Sequence, residues 1–309
     1  MKNIGIIYCP NHKPFTSPAK RWAKIAAALE AHGLQYDMIQ SERADSVERL
    51  VSMLLGNGYE TIIIAGGDSA LNDAVNCFMR TEKHVRERTA LGVIPNGVMN
   101  DFASFWGFTY HDIEHAVASI AQRRVRKVDV GYMCYTNKRA EDKRRYFINC
   151  VNVGLLAGIQ KLRQETRRRL WSRKLSFIVS GLMMTFIKKF FRVSYTINFT
   201  HEEHRVSTLC IGSAYGYGQT PNAVPYNGML DITVVRHSAL SETIGALYLF
   251  ARGKILNHKR IMPYRSASIE LEVPKGTPVS IDGHPMETPC GSFRITVQQE
   301  EINFIIEKR

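Results

Sequence analysis

An α/β domain built on a parallel sheet, followed by a β-sandwich, is the fold class this sequence predicts, and three observations predict it. Strand-like and helix-like runs alternate through roughly the first 128 residues. Two glycine turns recur there about thirty residues apart, each leaving a β-branched run and entering a helix. From residue 129 the chain changes to short runs rich in β-branched and aromatic residues, bounded by turns. Its 309 residues, 45% of them hydrophobic, suffice for more than one core.

The elements follow in order. Asn3-Ile4-Gly5-Ile6-Ile7-Tyr8 reads as the first strand, with none of the basic and apolar regions of a secretion signal. Pro18 to Ala31 is predicted helical, Gln35 to Ile39 a strand, Ser46 to Leu55 a helix, and Thr61 to Ala65 and Leu91 to Ile94 strands. The second half yields strands at Arg145 to Val153, Arg192 to Phe199, Ser207 to Ser213, Leu230 to Val235, Ser266 to Val273 and Pro278 to Ile281. His201 and His204 bracket a Glu-Glu pair in what reads as a solvent-exposed hairpin turn rather than a metal site.

The chemistry concentrates in the two glycine turns. In Ile62-Ile63-Ile64-Ala65-Gly66-Gly67-Asp68-Ser69-Ala70-Leu71-Asn72-Asp73, a buried run breaks at Gly-Gly-Asp and enters a helix. Consecutive N–H groups there can face an anion at the positive end of that helix, and Asp68 can hold a metal against it. Leu91-Gly92-Val93-Ile94-Pro95-Asn96-Gly97-Val98-Met99-Asn100-Asp101-Phe102-Ala103 repeats the plan. Both loops are then expected at the carboxyl ends of neighbouring parallel strands, where open α/β sheets bind ligands. The competing reading of either motif alone is a turn that merely joins strand to helix.

Taken together, Gly66-Gly67-Asp68 with Asn72, the block Pro95 to Ala103, Asp129-Val130-Gly131, Asn149 to Gly154 and Asp282-Gly283 resemble the diacylglycerol kinase catalytic-domain family in order and spacing. NAD kinases and phosphofructokinases share the first glycine motif but not the second block at this interval. The resemblance implies an NAD kinase/diacylglycerol kinase-like first domain at 1–128, a β-sandwich lipid-substrate domain at 129–297, and a C-terminal strand at about 298–309 that returns to the first. It implies ATP and Mg2+ as cofactors and the hydroxyl of diacylglycerol or a related lipid as acceptor. Carried over position by position, the nucleotide-binding residues are Ser41, Gly66, Gly67, Asp68, Ser69, Ala70, Leu71, Asn72, Gly97, Val98 and Asn100. Asp68, Asp101 and Asp129 match aspartates that face the catalytic magnesium, with helix capping or salt bridging as their plainer reading. Asp282 and His284 fall at the proton-acceptor motif.

The family pattern is broken at four places. Ser69-Ala70 replaces a Gly-Thr pair and Val98 a threonine, removing hydroxyls that could bond phosphate. His284 stands where the family has a glutamate, and imidazole can serve as a general base near neutral pH. Asn227 replaces the aspartate of a structural magnesium site whose carbonyl ligands would be Val224 and Met229, and a plain Asn-Gly turn competes with metal binding there. A catalytically lapsed relative, binding anionic lipid or membrane without phosphoryl transfer, is therefore the alternative to a lipid kinase.

Charge points to an anionic partner. Lys and Arg number 41 against 28 Asp and Glu, a formal net charge of +13. The densest cluster runs from Lys161 to Lys174 and contains Arg167, Arg168, Arg169, Trp171, Arg173 and Lys174, ahead of an apolar run, Leu175 to Ile187, too short to span a bilayer. That pattern suits docking on an anionic membrane surface, with a buried helix and a solvated basic flank as the plainer reading. Nucleic acid is not the expected partner, because no helix-turn-helix, aromatic platform or zinc module accompanies the charge. Six scattered cysteines without paired spacing suggest free thiols in a reducing cytoplasm. The expected location is the cytoplasm, peripheral to the inner membrane face, and the resemblance leaves a homodimer open.

Overall fold

The apolar runs of the first hundred residues are buried on both faces, as strands sandwiched between helices must be. In the computed structural model they form β1 (Ile4–Tyr8), β3 (Thr61–Gly66) and β4 (Ala90–Pro95), which with the more exposed edge strand β2 (Tyr36–Gln40) make a parallel sheet ordered β2-β1-β3-β4. Between them lie α1 (Pro18–Ala31), α2 (Ser46–Gly56), α3 (Asp68–Arg80) and α4 (Lys83–Arg88); α5 (Asp101–Phe105), α6 (Ile113–Gln122) and β5 (Val125–Thr136) follow. The structure describes residues 4–10, 17–42, 46–97, 100–136, 141–159, 190–236, 254–286 and 291–307, with isolated positions between 237 and 253. The chain divides into two units, Met1–Val130 with Gln299–Arg309, and Gly131–Gln298.

Local chemistry explains the helix ends. Pro at the first helical position opens α1, where its missing N–H would have had no helical partner. The Asp112 carboxylate caps α6 by accepting from the His115 N–H at 3.0 Å. The chain leaves β1 toward β2 on one side and returns to β3 on the other, so the strand order reverses between β1 and β3. A crevice at the carboxyl ends of those strands is the general consequence.

The second unit is antiparallel: β6 (Asp142–Phe147), β7 (Cys150–Gly154), β8 (Phe191–Ile197), β9 (Thr200–Gly212), β10 (Leu230–Arg236), β11 (Ile261–Ser266), β12 (Ser268–Glu272), β13 (Val279–Ile281), β14 (His284–Pro285) and most of β15 (Ser292–Ile305). β9 organises it, pairing with β8 along its first half and with β7 and β10 along its second. Val193, Tyr195, Leu209, Ile232, Leu271 and Ile295 are among the side chains that fill the β-sandwich core. The end of β15 crosses to the first unit, where Asn303 and Phe304 pair in parallel with Ala90 and Leu91 of β4.

Three expectations are corrected. The run Arg145 to Val153 is two strands, because the N–H groups of Ile148, Asn149 and Cys150 turn to the Asp282 carboxylate instead of a neighbouring strand. Ser266 to Val273 breaks at Ala267, where the Ser266 hydroxyl bonds to the Ser268 backbone. His201 and His204 lie within β9, and the turn is at 198–199. His204 is only partly exposed: its Nε2 sits 3.0 Å from Glu202 and 3.2 Å from the Arg236 guanidinium.

Glu202 also accepts from the Tyr195 and Tyr264 hydroxyls at 2.9 and 2.8 Å. The Tyr264 hydroxyl, foremost, holds its carboxyl below the ordinary range, and burial, foremost, pushes the Tyr195 phenol up. A depressed carboxyl pKa stabilises the fold above the unfolded-state value and is lost as pH falls through the folded one. Glu202→Gln is expected to lower stability by about 1–2 kcal/mol at neutral pH. In urea titrations at several pH values, the gap between variant and wild type should narrow as pH falls below the ordinary glutamate range and close only below the depressed folded-state value.

Candidate functional site

The carboxyl ends of β1, β2, β3 and β4 bring together the loops that begin at Cys9, Ser41, Gly67 and Asn96. Backbone bonds tie them: Cys9 N–H to Ala65 C=O at 3.0 Å, and Ser41 N–H to Tyr8 C=O and Asn96 N–H to Gly66 C=O at 2.8 Å each. The Asn96 amide donates to the Cys9 carbonyl at 2.9 Å, bracing the first loop against the fourth. Arg21 of α1 donates to the carbonyls of Pro95 and Tyr110, both at 2.8 Å, and lies over the Tyr110 ring. Sequence reading missed Arg21, since its partners lie 74 and 89 residues away.

Asp68 is the joint of this edge. It is buried as the first residue of α3, and its two carboxylate oxygens accept from the N–H groups of Asp101 (2.9 Å) and Phe102 (3.3 Å). One negative charge therefore stands at the positive ends of α3 and α5, joining the two glycine motifs. Gly66 is glycine for close packing: a Cβ there would lie 3.0 Å from the Ala70 Cβ and 3.2 Å from Ile64. Neither Gly66 nor Gly67 has positive φ, so close approach, rather than a left-handed turn, is what the position requires.

The other expected nucleotide residues divide by exposure. Ser69 is exposed, and Gly67, Ala70, Gly97 and Asn100 are half-buried, so these five can be reached from solvent. Leu71 and Asn72 are buried; the Leu71 N–H is used by the Gly67 carbonyl and the Asn72 side chain is bonded by Asn76. The Asn100 amide closes its own loop, accepting from the Gly97 N–H at 2.9 Å and donating to the Gly97 carbonyl at 3.1 Å. Val98 lies outside the described residues. The buried Ser41 hydroxyl is 2.8 Å from that of Ser46. Burial, with the Asp73 carboxylate adding to it, pushes the neighbouring Cys9 thiol up to about 12, so Cys9 stays a neutral thiol.

The three aspartates expected to face one magnesium are held by different elements. Asp101 sits beside Asp68 through its own N–H. Asp129 instead lies buried inside β5, where it accepts from the Glu300 N–H at 3.0 Å. Among the described residues, no group of three or more His, Cys, Asp and Glu side chains is arranged to hold a metal. Magnesium in kinase sites takes one or two carboxylates beside phosphate and water oxygens, the donor type that Asp101 supplies at this edge. The second expected site is a turn: the Asn227 Oδ1 accepts from the Met229 N–H at 3.0 Å, Gly228 has φ +70°, and the Val224 carbonyl accepts from the Tyr226 N–H. An uncharged amide engaged in this way leaves no carboxylate for a cation.

In the second unit Asp282 is buried and accepts from three successive N–H groups, those of Ile148 (2.9 Å), Asn149 (3.1 Å) and Cys150 (2.8 Å). A carboxylate so engaged is an anchor. His284 follows it in β14, opposite Ile281, and is half-buried. Arg167, Arg168, Arg169, Trp171, Arg173 and Lys174 lie outside the described residues. No helix among the described residues is long and apolar enough to cross a membrane.

A parallel sheet with two coupled glycine loops at its carboxyl edge, followed by a β-sandwich, defines a kinase-like two-domain architecture. Comparison makes this specific. Residues 13–133 match the diacylglycerol kinase catalytic domain, and 149–302 match the YegS C-terminal NAD kinase beta sandwich-like domain. The chain belongs to the diacylglycerol kinase catalytic-domain family. It is 24% identical to the diacylglycerol kinase of Bacillus subtilis (strain 168) over 290 residues, 92% of this chain and 90% of that one. Against the diacylglycerol kinase of Staphylococcus carnosus (strain TM300) the identity is 24% over 269 residues, 84% and 81% of the two chains. The crystal structure of a diacylglycerol kinase from Bacillus anthracis str. Sterne superposes with a TM-score of 0.69 at 18% identity, over 99% of this chain and 97% of that one. A second structure from the same organism superposes at 0.74 with 21% identity and the same coverage.

Asp68→Ala removes both charge-assisted bonds to α5 and is expected to destabilise the protein by about 2–4 kcal/mol. Asp68→Asn, which keeps an acceptor and the shape, should lose clearly less. Urea denaturation of both variants checks this; equal stability of Asp68→Ala and wild type would remove Asp68 as the joint.

Proposed function

We propose that this chain is an ATP-dependent lipid kinase, transferring the γ-phosphoryl group to the hydroxyl of diacylglycerol or a related lipid. The observation that carries the reading is the Asp68 carboxylate joining both glycine loops at the sheet edge where such folds bind ligands. The reachable backbone of Gly67, Ser69 and Gly97 would meet the phosphates. Asp101 beside Asp68 would hold magnesium, which when bound neutralises charge on the transferring group. The lipid oxygen forms its bond to phosphorus as the bond to the bridging β–γ oxygen breaks, and ADP leaves. The proton would go to the His284 imidazole, while Asp282 holds the turn.

A second reading, a relative that binds anionic lipid without phosphoryl transfer, is favoured by the engagement of Asp282 with three N–H groups and the lack of a carboxylate at 284. Turnover decides between them. With ATP, magnesium and diacylglycerol in mixed micelles, wild type is expected to form a phosphorylated lipid. Asp101→Asn should reduce kcat at least a hundredfold with an unchanged melting profile, since one charge is lost without a change of shape. Absence of wild-type turnover would favour the non-catalytic relative.

Either way, the basic stretch of residues 161–174 supports docking on the anionic inner face of a membrane. Replacing Arg167, Arg168 and Arg169 with Gln should weaken sedimentation with phosphatidylserine-containing vesicles, and wild-type binding should fall as salt rises. Equal binding by the two proteins would leave this stretch a solvated flank.

A further inference from the structure

The left-handed turn at Gly216-Tyr217-Gly218 has no role in the reading above, and its geometry is unusual. All three residues have positive φ, +58°, +55° and +85°. The glycines on either side carry this conformation without strain, but a bulky aromatic there is rare and is retained only where the surroundings over-determine it. The surroundings do so. The Gly216 N–H donates to the Asn149 Oδ1 at 2.8 Å, and the Gln219 amide donates to the Gly216 carbonyl at 3.2 Å and to the Asn152 Oδ1 at 2.7 Å. All three amide side chains are buried. A Cβ at Gly216 would meet the Thr220 hydroxyl at 2.2 Å, so no bulkier residue fits.

Core packing does not account for Tyr217, because its side chain is half-buried and outside the sandwich core. What the turn accomplishes is an approach to the acceptor motif. The Tyr217 hydroxyl lies 3.3 Å from where a Cβ on Gly283 would stand. Asp282 and Gly283 are themselves left-handed, at φ +44° and +83°. A single residue bolts the two turns together: Asn149 donates its backbone N–H to Asp282, and its side-chain oxygen accepts from the Gly216 N–H.

We propose that Tyr217 is a positioning residue for the Asp282-Gly283-His284 turn, its hydroxyl setting the placement of the His284 imidazole. The proposal rests on the reading of His284 as proton acceptor, and it uses only contacts within the second unit. Strain at residue 217 is then the consequence of delivering a phenol to a left-handed turn at Gly283.

Tyr217→Phe tests this, since it keeps the ring and removes only the hydroxyl; Tyr215→Phe, at an exposed neighbour, is the control. The His284 ring signals, assigned by their loss in His284→Gln, are followed by NMR together with steady-state kinetics. Tyr217→Phe is expected to move the His284 signals and to lower kcat about tenfold with the KM for ATP within twofold of wild type, while Tyr215→Phe changes neither. His284 signals identical in Tyr217→Phe and wild type would overturn the proposal, whatever the kinetics. Were wild type to show no turnover, the kinase reading would fall, and the NMR comparison alone would still support or overturn the positioning role.

Discussion

The Asp68 carboxylate is the constraint on which the nucleotide edge of this protein depends. It begins one helix and caps another that starts thirty-three residues later, so two loops that could move independently are held at a fixed separation. The arrangement is economical in charge: one buried anion stands at two helix N-termini and accepts from the N–H groups of α5. It also explains why the family's turn survives loss of the threonine at position 70. Small side chains at 66 and 70 preserve the close packing beneath α3, and the carboxylate fixes the rest.

The second unit repeats the device with different elements. Asp282 captures three successive N–H groups between β6 and β7, ending one strand and starting the next, and Asn149 at that break carries the hold onward to Gly216. Buried polar groups are tolerated where they are bonded, and the bonds that Asp282 and the Asn149 Oδ1 make fix one arrangement of the backbone where apolar packing would allow several. Two non-glycine residues with positive φ, Tyr217 and Asp282, lie on this network. The departures from the family pattern thus separate into two kinds. Ala70 and Asn227 stand in turns whose shape is held by neighbours, whereas His284 changes the chemistry that such a turn can offer.

Much of the fold was legible in the chain. The apolar runs at Ile4 to Tyr8, Thr61 to Ala65 and Leu91 to Ile94 could only be buried parallel strands, and the glycine motifs lie at their carboxyl ends because local sequence dictates strand, turn and helix there. Family membership followed from the same residues, since a motif is a local arrangement and needs no tertiary contact to be read. What the sequence could not supply was the partner of each carboxylate. Asp68, Asp101 and Asp129 are equivalent as letters, yet Asp68 binds two N–H groups of another helix, Asp101 lends its own N–H to Asp68, and Asp129 holds β15 through Glu300. Asp282 reads as a proton acceptor in its motif, and its carboxylate accepts from N–H groups of residues more than 130 positions away. Arg21 and Tyr217 carry no local signal at all. Secondary structure and motif chemistry are fixed by neighbours a few residues apart, whereas the duty of a buried charge is decided by whichever distant N–H groups the folded chain brings to it, and only the tertiary structure contains that information.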